Sequence, residues 1–264
     1  MKMQVTALLI CVILLNSCGD SKTPAVSLSG NWQMSLQSTA GSQNPGETQS
    51  GFLIQSGDAL SGSVLLSGQT ISGQISCAGV GAAVGQATGS AVTMTVSPTG
   101  QTVNLTGTAS NNFTSLSGNY SILSAGCGQT DLGTWSANLV NTLTGSFQAT
   151  FTSSGSEGIS NFSGNITQGP NTGNSSATLS GSMTSTNSCF TSISLAGAVS
   201  GTAVVLNLLT SDGSALGKFS GTMTTDATSI TGTYAFTNAT SGLGNCQVDH
   251  GSATIAVQTS PVTS

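Results

Sequence analysis

His250 is the only histidine in the chain, so every mechanism that needs an imidazole base would have to run through it. Asp249 precedes it, and Asp131 holds the comparable place earlier in the chain: Cys127-x-x-x-Asp131-x-Gly133 against Cys246-x-x-Asp249-x-Gly251. An Asp shortly before Gly is a common turn opener, so both aspartates and His250 are expected in turns or exposed loops. The other acids, Asp20, Glu47, Asp58, Glu157, Asp212 and Asp226, mostly stand beside Gly, Ser or Asn and are read as turn residues too. A carboxylate pair for glycoside hydrolysis is not excluded by this scatter, but nothing points to one. No Cys-x-x-Cys spacing of the kind that holds zinc occurs. The expectation is a protein that is not an enzyme and carries neither metal nor cofactor, with a hydrolase as the distant alternative.

The elements that would position such residues are strands. Apolar and mostly polar residues alternate in Trp32-Gln33-Met34-Ser35-Leu36, Val92 to Val96, Val103 to Thr106 and Ala253 to Val257. That period of two marks strands with one wet face. All five prolines, Pro24, Pro45, Pro98, Pro170 and Pro261, fall between the runs, as a sheet requires because Pro cannot donate to a ladder. The fold class is therefore all-β.

A short unit recurs: apolar residue, Ser or Thr, Gly, any residue, apolar residue. It appears as Leu28 to Trp32, Leu60 to Val64, Ile71 to Ile75, Leu105 to Ala109 and Leu116 to Tyr120, and later as Leu143 to Phe147, Phe162 to Ile166, Leu179 to Met183, Phe219 to Met223 and Ile230 to Tyr234. Alternate residues of a strand share a face, so each unit puts Gly inward between two apolar side chains. Inward glycines let a sheet coil tightly. The units start at irregular intervals, which argues against a regular solenoid.

The units belong to a longer duplication. Leu28, Leu105 and Leu116 correspond to Leu143, Phe219 and Ile230 at offsets of 115, 114 and 114 residues, and the turn Ser97-Pro98-Thr99-Gly100 falls opposite Thr210-Ser211-Asp212-Gly213. Two tandem antiparallel up-and-down β-barrel-like domains are expected, at 28–140 and 141–259, with a tail at 260–264. About eight strand-length runs per copy are enough to close a barrel. Four cysteines of the two copies, Cys77, Cys127, Cys189 and Cys246, allow three pairings, and the duplication selects disulfides Cys77–Cys127 and Cys189–Cys246.

The first residues supply an address. Lys2 precedes an apolar run from Val5 to Leu15, followed by Asn16, Ser17 and Cys18. Eleven residues are too few to span a bilayer, which takes about 20, but they suit an export signal. Leu15-Asn16-Ser17-Cys18 resembles the lipobox of bacterial lipoproteins. The resemblance implies a signal peptide at 1–17, a lipidated Cys18 carrying diacylglycerol and usually a third acyl chain such as palmitate, and a tether at 18–27. Two or more chains anchor stably. Gly19 after the cysteine, by resemblance to sorting rules in enteric bacteria, implies the outer membrane.

After such cleavage the chain keeps Lys22 and Lys218, no arginine and eight acids, a formal net charge of −6. Nucleic acid is not an expected partner, because binding phosphates takes clustered cations. With 37% apolar residues in a clear period, a folded chain is expected rather than a disordered one.

Gly30-Asn31-Trp32 is similar to the Gly-x-Trp opening of lipocalins and avidins, and Ile230 to Tyr234 is similar to avidin strand segments. The resemblance implies eight-stranded barrels with a small ligand in the mouth. The arginine that lipocalins stack on that Trp is absent here, and Phe147 replaces the Trp in the second copy. Possible binding residues are then Trp32 with its counterpart Phe147, and Tyr120 with Tyr234. The expected function is binding, by an anchored envelope protein, of a small apolar or glycan-like ligand or a partner protein, the alternative being a purely structural surface coat.

Overall fold

The computed structural model describes residues 27–39, 47–67, 78–124, 130–155, 158–186, 190–211, 215–238 and 249–258. Cys18, Cys77, Cys127, Cys189 and Cys246 all lie outside them, so the lipidation site and both proposed disulfides lie outside the described residues.

Among the described residues sixteen strands form two closed barrels of eight. The first consists of β1 (Gly30–Ser38), β2 (Glu47–Ser56), β3 (Ala59–Leu66), β4 (Gly79–Thr88), β5 (Ala91–Ser97), β6 (Gln101–Ala109), β7 (Ser115–Ser124) and β8 (Asp131–Val140). The second consists of β9 (Gly145–Ser153), β10 (Ile159–Gln168), β11 (Ala177–Ser185), β12 (Ser192–Ser200), β13 (Ala203–Thr210), β14 (Ala215–Met223), β15 (Ser229–Asn238) and β16 (Asp249–Gln258). Within each barrel every strand pairs antiparallel with the next. β1 closes on β8 through Trp32↔Leu139 and Leu36↔Trp135, and β16 closes on β9 through Val257↔Phe147. The two barrels repeat one register: Trp32 stands opposite Gly51, and Phe147 opposite Gly164.

The recurring unit explains the tight closure. Gly107 stands opposite Gly118 on the adjacent strand in the β6–β7 ladder of the first barrel, and Gly221 opposite Gly232 in the β14–β15 ladder of the second. A Cβ on any of the four would collide with the neighbouring strand's backbone. What the inward glycines admit is chiefly the adjacent strand, and in the second barrel the rings of Phe147 and Phe219, rather than the far wall.

Each barrel has a capped base. Leu28 and Leu143 are fully buried there, their N–H groups donating to Gln55 Oε1 at 2.8 Å and Gln168 Oε1 at 3.0 Å. Trp32 Nε1 donates back to the Leu28 carbonyl at 2.9 Å. The tight β6–β7 and β14–β15 turns at this end also match. Phe113 and Ala227 adopt φ of 57° and 58°, and Asn112 Oδ1 and Asp226 Oδ1 accept from the Thr side chains that follow.

Candidate functional site

The opposite end of each barrel, here the mouth, is where β1, β3, β5 and β7 finish and β2, β4, β6 and β8 begin. Here the structure corrects the sequence reading. Asp131 and Asp249 open β8 and β16 rather than turns, and His250 is a strand residue. The glycines that suggested turns, Gly133 and Gly251, lie within strands, where a side chain would strike the backbone of Gln37 and Thr152.

Both aspartates hold the same cluster. Asp131 accepts from Tyr120 Oη at 2.6 Å and from Ser38 Oγ at 2.7 Å. Asp249 accepts from Tyr234 Oη at 2.7 Å and from Ser153 Oγ at 2.5 Å. Burial, then the bond to Asp131, push the Tyr120 phenol well above its ordinary range, so it remains a proton donor. His250, adjacent to Asp249, necessarily points the other way and is exposed on the outer face. The two cannot form a catalytic pair.

Beyond these clusters the two mouths diverge. In the first barrel, inward positions near Asp131 are Glu47, Gln49 and Gln101, whose relative exposures are 8%, 1% and 7%. Among the described residues, both amide atoms of Gln49 and Oε1 of Gln101 have no hydrogen-bond partner. Register gives the second barrel's counterparts: Gln49 and Phe162 face Met34 and Ala149, Glu47 and Ser160 face Leu36 and Phe151, and Ala215 takes the place of Gln101. Rings plug that second mouth, with centroid distances of 4.9 Å for Phe151–Phe162, 4.7 Å for Phe151–Tyr234 and 4.4 Å for Phe190–Phe236. Such pairs add roughly 0.5–1.5 kcal/mol each beyond burial. The void beneath them, lined by Phe147, Ile166 and Phe219 among others, has a volume of about 10 Å³, room for at most one water.

Of the residues singled out from sequence, Tyr120 therefore joins the polar mouth and Tyr234 the plugged one. Trp32 lies at the first barrel's base, away from the mouth, and Phe147 packs inside the second barrel's core. Sequence reasoning missed Glu47, Gln49 and Gln101.

A second feature is the junction between barrels. The β12–β13 turn at the second barrel's base docks on the outer face of β1 and β2. Asn31 Nδ2 donates to the Gly201 carbonyl and Gly201 N–H donates to Asn31 Oδ1, each at 2.8 Å. Gln33 Oε1 accepts from Thr202 N–H at 3.1 Å. Ser200 Oγ donates to the Ser175 carbonyl, so Ser50 Oγ must be the donor in the 2.8 Å Ser50–Ser200 bond. Phe52, pointing outward from β2, is buried against the second barrel's core. Beside it lies a cleft of about 350 Å³ lined by Ser29, Leu139, Thr142 and Pro170 among others.

No protein-family model matches the chain, and no curated protein matches it. Among solved structures, kievitone hydratase from Nectria haematococca is 12% identical, covering 88% of this chain and 90% of its own, with a TM-score of 0.26. A protein of unknown function of the DUF3598 family, from Nostoc punctiforme, is 12% identical, covering 87% and 96%, with a TM-score of 0.24. Similarity at this level transfers neither activity nor ligand.

Proposed function

We propose that this is a lipid-anchored protein of the bacterial envelope that works by binding, not catalysis: its first barrel takes a small ligand at the polar mouth, and its second barrel is a filled brace. One observation carries the reading. Gln49 is buried with both amide atoms unpartnered, at a position the sister barrel fills with Phe162. A buried polar group without a partner costs about 1–3 kcal/mol, and the duplicate shows that the fold does not need it. The plugged second barrel does not suit an apolar ligand, which favours a structural role for that half. The lipobox at Leu15 to Cys18 supports the anchor, and Gly19 supports the outer membrane.

Both tryptophans, Trp32 and Trp135, lie in the first barrel, so their fluorescence follows that barrel alone. The test is a thermal screen of small molecules read by Trp emission. Compounds should raise the first transition of the wild type and not of Gln49→Leu. Shifts of equal size in both proteins, or none in the wild type, would overturn the reading. For the anchor, Cys18→Ala should move the protein from the detergent phase to the aqueous phase, and an unchanged partition would overturn it.

A further inference from the structure

Resting on that binding role, the geometry points to a ligand class for the first barrel's mouth: a small organic ammonium compound that also carries a hydroxyl or carbonyl oxygen. The charge argument comes first. Residues 28–140 contain Glu47, Asp58 and Asp131 but no Lys, Arg or His. Two of those three carboxylates, Glu47 and Asp131, open strands at the mouth, while Asp58 lies in the β2–β3 turn at the base. Apolar walls bearing carboxylates of one sign attract cations and repel anions. The walls here are Leu36, Leu66, Val96, Ile122 and Trp135, all buried.

Gln49 refines the class. Whichever way its amide is turned, it presents one N–H₂ donor and one carbonyl acceptor. A bare metal ion would engage the carbonyl and leave the N–H₂ group without an acceptor. An anion would engage the N–H₂ group and face two carboxylates. A neutral sugar would satisfy the amide but gain nothing from the charge. An ammonium with a neighbouring oxygen satisfies all of these: N–H to the Glu47 carboxylate and the Gln49 carbonyl, oxygen to the Gln49 N–H₂. Gln101 Oε1, across the barrel on β6, supplies a further acceptor. Asp131 is already committed to two hydroxyls and contributes field more than contact.

The probes are ethanolamine and glucosamine, with glucose, N-acetylglucosamine and calcium chloride as the other arms, titrated into the full chain by calorimetry and Trp fluorescence. Saturable binding of the two amines is expected, weakened about ten- to a hundredfold by Glu47→Gln, the loss of one charge-assisted bond. Asp58→Asn, remote from the mouth, should leave it unchanged. Gln49→Leu should abolish binding while raising the first barrel's melting temperature, because an orphaned amide leaves an apolar neighbourhood; that gain shows that the variant is folded. Binding of glucose equal to glucosamine, or of calcium alone, would overturn the ammonium assignment while leaving a ligand-binding mouth in place. Amine binding unaffected by Glu47→Gln would overturn it as well. No binding by any probe, with the library screen also empty, would remove both.

Discussion

Asn31 and Gly201, 170 positions apart, exchange a matched pair of hydrogen bonds, the amide side chain of one barrel reading the backbone of the other as a neighbouring strand would. Gly201 has φ of +54°, and a Cβ there would sit against Gln33 and 2.6 Å from the Ser50 Cβ. Gly201→Val should therefore undock the barrels without unfolding either. The expected result is a larger radius of gyration in X-ray scattering and new cleavage within 141–144, with both melting transitions kept.

Trp32→Ala should be the most damaging substitution in the first barrel. It leaves a large hole at a site with no exposure and orphans the Leu28 carbonyl. Truncation of this size costs about 3–5 kcal/mol. Urea unfolding followed at Trp135 should show the loss, and the second barrel's transition, followed by far-UV circular dichroism, should move little.

Alkali should loosen the first barrel through Tyr120. Its folded pKa is raised, so the stabilisation is complete below the unfolded value of about 10 and is lost as pH rises beyond it, where the unfolded chain ionises and the folded one resists. Tyr120→Phe should lower stability near pH 7 by about 1–3 kcal/mol, because Asp131 loses a donor. It should also flatten the decline above pH 10. Melting curves between pH 7 and 11 decide the matter, and a decline equally steep in the variant would exclude Tyr120 as its source.

Asp249→Asn should act as a structural lesion. The carboxylate is buried and accepts from Ser153 and Tyr234, bonds to a charged group worth about 1.5–3 kcal/mol each. Stability of the second barrel should fall, and amine binding at the first barrel's mouth should not change.

In the sequence Cys77 falls between β3 and β4, Cys127 between β7 and β8, Cys189 between β11 and β12, and Cys246 between β15 and β16. Bridges within each copy would close loops of 50 and 57 residues, contributing about 4 kcal/mol apiece in the chain-entropy model. Non-reducing peptide mapping should recover Cys77 with Cys127 and Cys189 with Cys246. A crossed pair would contradict the assignment.

The barrels were legible because an inward face repeated every second residue leaves a strong imprint, and the Ser/Thr-Gly unit marked where the sheet had to coil. The mouth was not. Glu47 to Ser50 alternates one polar residue with another, so the period vanishes where inward Glu47 and Gln49 matter most. Ser50 and Phe52 face outward yet are covered by the other barrel, and a strand buried on both sides loses its alternation. Asp131 and Asp249 resembled turn openers because local chemistry gives Asp-x-Gly that meaning. Only the close approach of the neighbouring strand shows the glycine serving the barrel wall instead.

The junction between barrels is head-to-flank, the base turn of one unit seated on the side of the other. Contacts of that type, repeated from copy to copy, close into rings or grow into filaments. The first barrel keeps the equivalent turn, with Gly89 at φ +61°. The second barrel lacks the socket: where the first offers Asn31 and Phe52, it presents Ser146 and an exposed Asn165. Two side-chain differences on that flank thus deny the first barrel's turn the partners that Gly201 finds on β1 and β2.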